Sequence, residues 1–124
     1  MWYNGTIYPV KEAMQRYAPM HYNGRTYLAV EDAVCDCAVN EYPYYVASAI
    51  CTDDNKVDGK YPLYTVIWNV NPDFVEIEVS EWNSTYDKYR IICEDEYLAC
   101  DWEHPSDVFV GNDFYDPVTG EISC

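Results

Sequence analysis

The chain has 124 residues, 49% of them hydrophobic, with 22 acids against 7 bases and a formal net charge of −15. That length suits one domain with a real core, and 14 Tyr, 4 Trp and 3 Phe separate it from disordered acidic chains, which are poor in aromatics. A field of this sign repels phosphate backbones, so it argues against direct DNA or RNA binding and for a basic protein partner.

The opening "MWYNGTIYPVK" has no basic segment followed by an apolar one, and no run approaches the ~20 residues of a membrane span. The expectation is a cytoplasmic protein without a membrane partner, its six cysteines kept as thiols. The segments 3–18 ("YNGTIYPVKEAMQRYA") and 22–38 ("YNGRTYLAVEDAVCDCA") echo each other. Asn-Gly between β-prone residues favours a type I′ turn, because both positions tolerate positive φ. Helical spacing follows in both copies: Val10, Ala13, Met14 and Tyr17, then Val30, Ala33, Val34 and Cys37. Each copy therefore reads as a hairpin feeding a helix, whether by duplication or by two uses of a common turn.

The period then changes. "YYVASAIC" (44–51) and "YPLYTVIWNV" (61–70) are rich in β-branched and aromatic residues, and "TDDNKVDGK" between them is full of turn formers. These are the strands of an antiparallel hairpin, with Trp68 in its core. Asn71-Pro72-Asp73 turns into a third strand at 74–79 ("FVEIEV"), and 88–93 ("KYRIIC") is a fourth. Residues 94–104 are a short helix ending before Pro105, and the Gly- and Pro-containing tail is loop or edge strand. The predicted fold is one α+β domain. Residues 1–40 form the two hairpin–helix units, 41–93 an antiparallel sheet of three to four strands, and 94–124 an acidic helix and loop tail. Two to three short helices pack on one face of the sheet.

Residues 91–104, "IICEDEYLACDWEH", pose the functional question, because two cysteines, a histidine and five carboxylates share fourteen positions. Structural zinc sites announce themselves as paired C-x₂₋₄-C or H-x₃₋₅-H units. Here Cys35 and Cys37 are one residue apart, Cys93 and Cys100 six, and Cys51 and Cys124 stand alone. "DDNKVDG" (53–59) fails the calcium-loop register, since Val57 falls where a ligand is needed and the bidentate Glu is missing. No metal or cofactor is expected. For catalysis there are two histidines, His21 and His104, with no nucleophile-elbow motif and no phosphate-binding loop. Carboxylate pairs such as Asp101 and Glu103 are expected by chance in a chain this acidic.

The charge itself is the remaining signal. Residues 91–124 hold Glu94, Asp95, Glu96, Asp101, Glu103, Asp107, Asp113, Asp116 and Glu121 and no Lys or Arg. Alternation in "FVEIEV" puts Glu76 and Glu78 on one face, ~6.8 Å apart along a strand. Glu31, Asp32 and Asp36 add charge to the second predicted helix. Ordered carboxylates can stand in for phosphates before Arg and Lys. Aromatic anchors would come from Tyr97, Trp82, Trp102 and Tyr115.

A small, Tyr-rich, strongly acidic domain without a catalytic motif resembles the phage and mobile-element inhibitors of host defence, the anti-CRISPR and antirestriction proteins, many of which are DNA mimics. The tract "ACDWEHPSDV" (99–108) is also similar to C-terminal tracts of small mobile-element proteins. The resemblance implies a non-enzymatic inhibitor in the cytoplasm of a bacterial host, monomeric or homodimeric. Its partner would be a basic nucleic-acid-binding protein, a Cas effector or restriction enzyme. The alternatives are an acidic regulatory module that binds a basic host protein without imitating DNA, and a small thiol- or metal-dependent enzyme.

Overall fold

The computed structural model describes residues 6–36, 44–69 and 102–124. Within them the chain forms one helix, α1 (Val10–Arg16), and seven strands: β1 (Met20–Tyr22), β2 (Arg25–Ala29), β3 (Val34–Asp36), β4 (Tyr44–Cys51), β5 (Tyr61–Asn69), β6 (Asp107–Tyr115) and β7 (Ile122–Ser123). All pair antiparallel in one open sheet, in the order β1-β2-β4-β5-β6-β7, with β3 on β4 beyond the end of β2. This corrects the α+β expectation of three to four strands under two to three helices. The described fold is mostly sheet, with a single short helix.

The central hairpin forms where its β-branched and aromatic residues predict it, in register from Tyr44↔Asn69 to Ile50↔Leu63. Its connection closes on Asp58 and Gly59, both at positive φ (53° and 78°), between Val57 and Lys60. The second Tyr-Asn-Gly also turns as its chemistry demands. Asn23 and Gly24 take φ 49° and 76° and join β1 to β2 with Tyr22 opposite Arg25. The first Tyr-Asn-Gly, the strands predicted at 74–79 and 88–93, and most of the 94–104 segment lie outside the described residues. Of that segment, Trp102 and Glu103 form a turn rather than the end of a helix.

Helix α1 follows from the first echo. Glu12 in its first turn and Arg16 in its last complement the helix dipole. Tyr17 is extended, and Pro19 disfavours helix at Ala18. The second predicted helix, on Val30, Ala33, Val34 and Cys37, is not formed over its described residues, 30–36; Cys37 lies outside them. Residues 25–36 instead run along one edge of β4: Ala29 lies opposite Ala49, and Val34 opposite Val46. "TYLAV" is β-prone, with side chains from Tyr27 to Val30 buried on alternating faces, and the β4 ladder satisfies its backbone groups. The helical spacing there is coincidental. The tail read as loop or edge strand contains β6, nine residues long and paired to β5 around a bulge opposite Leu63, and the two-residue β7 at the end of the sheet.

Buried side chains lie on both faces of the sheet. On one, Ala13 of α1 packs with Leu28, Val30, Ile50, Leu63 and Tyr115. On the other, Tyr27, Tyr45, Tyr64, Val66 and Trp68 pack with Ala29, Ala47 and Ala49. The turn after β6 locks the N-terminal segment in place: Val10 N–H donates to the Pro117 carbonyl at 3.0 Å, and Gly120 lies against the backbone of Ile7 to Pro9. A Cβ at Gly120, which has φ 77°, would meet backbone atoms at 3.1 Å, whereas one at Gly24 would meet nothing within 4 Å. Gly24→Ala should therefore cost only the left-handed penalty, ~1–2 kcal/mol. Gly120→Ala should cost clearly more in a chemical denaturation series, and equal costs would refute the docking of this turn on the segment before α1. Among the described residues, no helix is long and apolar enough to cross a membrane.

Candidate functional site

Of the residues predicted for partner contact, Glu76, Glu78, Glu94, Asp95, Glu96, Tyr97 and Asp101 lie outside the described residues, as does Trp82. The structure places Glu103 and Asp107 exposed at one end of the sheet, beside half-buried Trp102. Asp107 opposes Ile67, and the Ser106 N–H donates to the Ile67 carbonyl at 2.8 Å. Asp113 and Asp116, half-buried, lie toward the other end, where β6 meets β7. The Asp116 carboxylate accepts the Val118 N–H at 2.9 Å and so caps the turn. Two readings need correction. Tyr115 is fully buried and its hydroxyl donates to the Tyr8 carbonyl, so it is a core residue and not a partner anchor. Glu31 is 2% exposed, on an edge segment rather than a charged helix face.

Four of the five described Lys and Arg side chains are turned onto the chain itself. Arg25 pairs with Asp54, which also accepts the Tyr64 hydroxyl at 2.5 Å. The Arg16 guanidinium lies 4.1 Å above the Tyr8 ring, Lys56 lies 5.6 Å above the Tyr61 ring, and Lys60 Nζ donates to Ser123 Oγ at 3.0 Å. Among the described residues, Arg25–Asp54 is the one pair of a carboxylate with Lys or Arg. Glu12, Asp32, Asp53, Asp58, Glu103, Asp107 and Glu121 are exposed.

Four tyrosines have phenols held above their ordinary value of 10.0, with burial the largest cause in each. At Tyr17 and Tyr64 the hydrogen bonds to Asp32 and Asp54 act in the same direction. The unfolded chain therefore releases these protons at lower pH than the folded one. The stability they contribute is complete below pH 10 and is lost as pH rises beyond it toward the folded values. Urea midpoints measured from neutral to strongly alkaline pH should fall above about pH 10, and Tyr115→Phe should flatten that fall.

On the tyrosine-rich face the sheet leaves a cavity of about 520 Å³. Its floor is low because Ala29 and Ala47 are small, and Ala33 borders it. Trp68 and Trp102 line it with rings 5.1 Å apart, and the Trp68 indole N–H donates to the Trp102 carbonyl at 3.2 Å. Arg16, His21 and Glu103 also border it, with His21 Nε2 4.0 Å from the Glu103 carboxylate. Glu31 is part of the lining. Where the edge strand breaks between β2 and β3, Glu31 Oε1 accepts the Ser48 N–H at 2.9 Å in place of a backbone carbonyl. Glu31 Oε2 is buried and has no hydrogen-bond partner. The sequence reading missed this cavity. Its one local signal is an acid inside an apolar run, "YLAVEDAV".

Compared with protein-family models, with curated proteins and with solved structures, the chain matches none.

Proposed function

We propose that this chain is a non-enzymatic anti-defence inhibitor whose acidic surface occupies the nucleic-acid-binding cleft of a basic bacterial nuclease, a CRISPR effector by preference. The observation that carries the reading is the state of its charges. Of the five described Lys and Arg side chains, four are engaged within the chain, three of them by aromatic rings or hydroxyls rather than carboxylates. Among the described residues the exposed acids are thus left largely without Lys or Arg partners, although ordinary ion pairing would relieve their mutual repulsion. Glu103 and Asp107, beside Trp102, form the described part of the contact surface, and Tyr115 is not part of it. Basic clefts that hold phosphates through Arg and Lys are complementary to such a surface. Complementary charge of this kind also speeds encounter.

The test is affinity capture from a bacterial lysate at physiological salt, with the retained proteins identified and then challenged with duplex DNA. Nucleic-acid-binding proteins that DNA displaces from the chain are the expected result. Retained proteins that bind no nucleic acid, or that DNA does not displace, would overturn the reading.

A further inference from the structure

We infer that Asp107 and Phe109, with the half-buried apolar row beside them, form the seat for an arginine of the basic partner and for the apolar side chains that flank it. This seat rests on the acidic-surface reading above and specifies what the partner presents to it. The observation behind it is a gradient of burial along one face of the sheet. Helix α1 is seven residues, ~10 Å long, and Ala13 packs over Leu28, Val30, Ile50 and Leu63. Side chains at even spacing on a strand share a face, so Val46 and Ile67 continue the face of Ile50 and Leu63. By register Val46, Ile67 and Asp107 form one row across β4, β5 and β6, and Thr65 and Phe109 lie in the next. Ile50 and Leu63 are buried, Val46, Thr65 and Ile67 are half-buried, and Phe109 is 54% exposed.

Charge selects what fits there. Among the described residues, the segments 34–36, 44–48, 65–69 and 102–109 carry Asp36, Glu103 and Asp107 and no Lys or Arg. A second copy of the chain, itself at −15, is repelled from such a surface, whereas a basic partner is attracted. Asp107 and Phe109 share a face of β6 and lie ~6.8 Å apart along it. One arginine serves both: its guanidinium stacks on an aromatic ring while its N–H groups pair with a carboxylate, and its apolar stem lies on the row beside them. Lysine presents a compact, strongly hydrated charge that does not stack in this way. Val110, the next residue, supplies the control. It is 67% exposed but stands opposite Tyr64, so it projects from the other face.

The experiment measures the Kd of the captured partner at physiological salt for the native chain, Phe109→Thr, Phe109→Leu and Val110→Thr. Threonine keeps a β-branched side chain on the strand. Phe109→Thr should weaken the complex about tenfold or more, and Phe109→Leu, which keeps apolar area without the ring, about threefold or more. Val110→Thr should change it by less than about twofold. The urea midpoints of the free variants should match that of the native chain, as at exposed sites. Native affinity in Phe109→Thr or in Phe109→Leu, or equal losses at 109 and 110, would overturn the proposal and leave the acidic-surface reading standing. A urea midpoint lowered in Phe109→Thr alone would mean that the chain itself covers the ring, and a dimer lost in that variant would put a second copy there; either overturns the proposal. The acidic-surface reading fails differently: the captured protein binds no nucleic acid, and if the variants still rank as expected the seat stands. Capture of nothing overturns both.

Discussion

Replacing Trp68 by alanine is expected to destabilise the fold by about 3–5 kcal/mol, a large part of the ~5–15 kcal/mol that holds a domain of this size together. Three contributions meet at this side chain. It is 3% exposed, so nearly all its apolar surface returns to water. It lies opposite Tyr45 across the central hairpin, and its ring is 5.1 Å from that of Trp102. Its indole N–H is donated to the Trp102 carbonyl, which ties the segment before β6 to the sheet. The cavity beside it is already large, so the surroundings have little to collapse with. Trp68→Phe keeps most of the area but leaves that carbonyl without its donor, and should cost ~1–3 kcal/mol. Urea unfolding of the pair measures both. A loss below about 1 kcal/mol for the alanine variant would contradict the placement of Trp68 in the core.

Local chemistry made part of this architecture legible. The Asn23-Gly24 turn and the strands around 52–60 are written in residues that favour positive φ or a pleated surface, and α1 in the spacing of Val10, Ala13 and Tyr17. Met14, assigned to the same stripe, is 67% exposed, because a seven-residue helix on a sheet buries only a narrow line. What failed depends on partners distant in sequence. Val30 to Cys37 has helical periodicity, but over its described part, residues 30–36, the edge of β4 decides the conformation. Tyr115 sits in a tail whose glycines and prolines suggest a loop or edge strand with an exposed aromatic anchor, yet its strand carries it into the core with Ala13 of α1. Glu31 is one acid among 22 and reads as surface charge. Only the break between β2 and β3 explains why a carboxyl group is placed inside, substituting for a strand carbonyl. The acidic run Glu94-Asp95-Glu96 lies outside the described residues, so the described part of the proposed surface is narrower than the sequence suggested.

On the proposed function, acids at particular positions, and not the bulk field, engage the partner. Reversing Glu103 and Asp107 to Lys moves the net charge from −15 to −11, since two sites each change by two units. Reversing Glu12 and Glu121 gives the same net charge from exposed sites on α1 and beside β7. Beyond the ~8 Å Debye length of physiological salt, a partner senses the two variants alike. At contact it does not, because a reversed charge facing a desolvated Arg costs several kcal/mol. The deciding measurement is the Kd of both variants for the captured partner at physiological salt, with folding checked by circular dichroism. The expected result is a loss of at least about a hundredfold for Glu103→Lys with Asp107→Lys, and of no more than about threefold for Glu12→Lys with Glu121→Lys. Equal losses in the two variants, or no loss in the first, would contradict it.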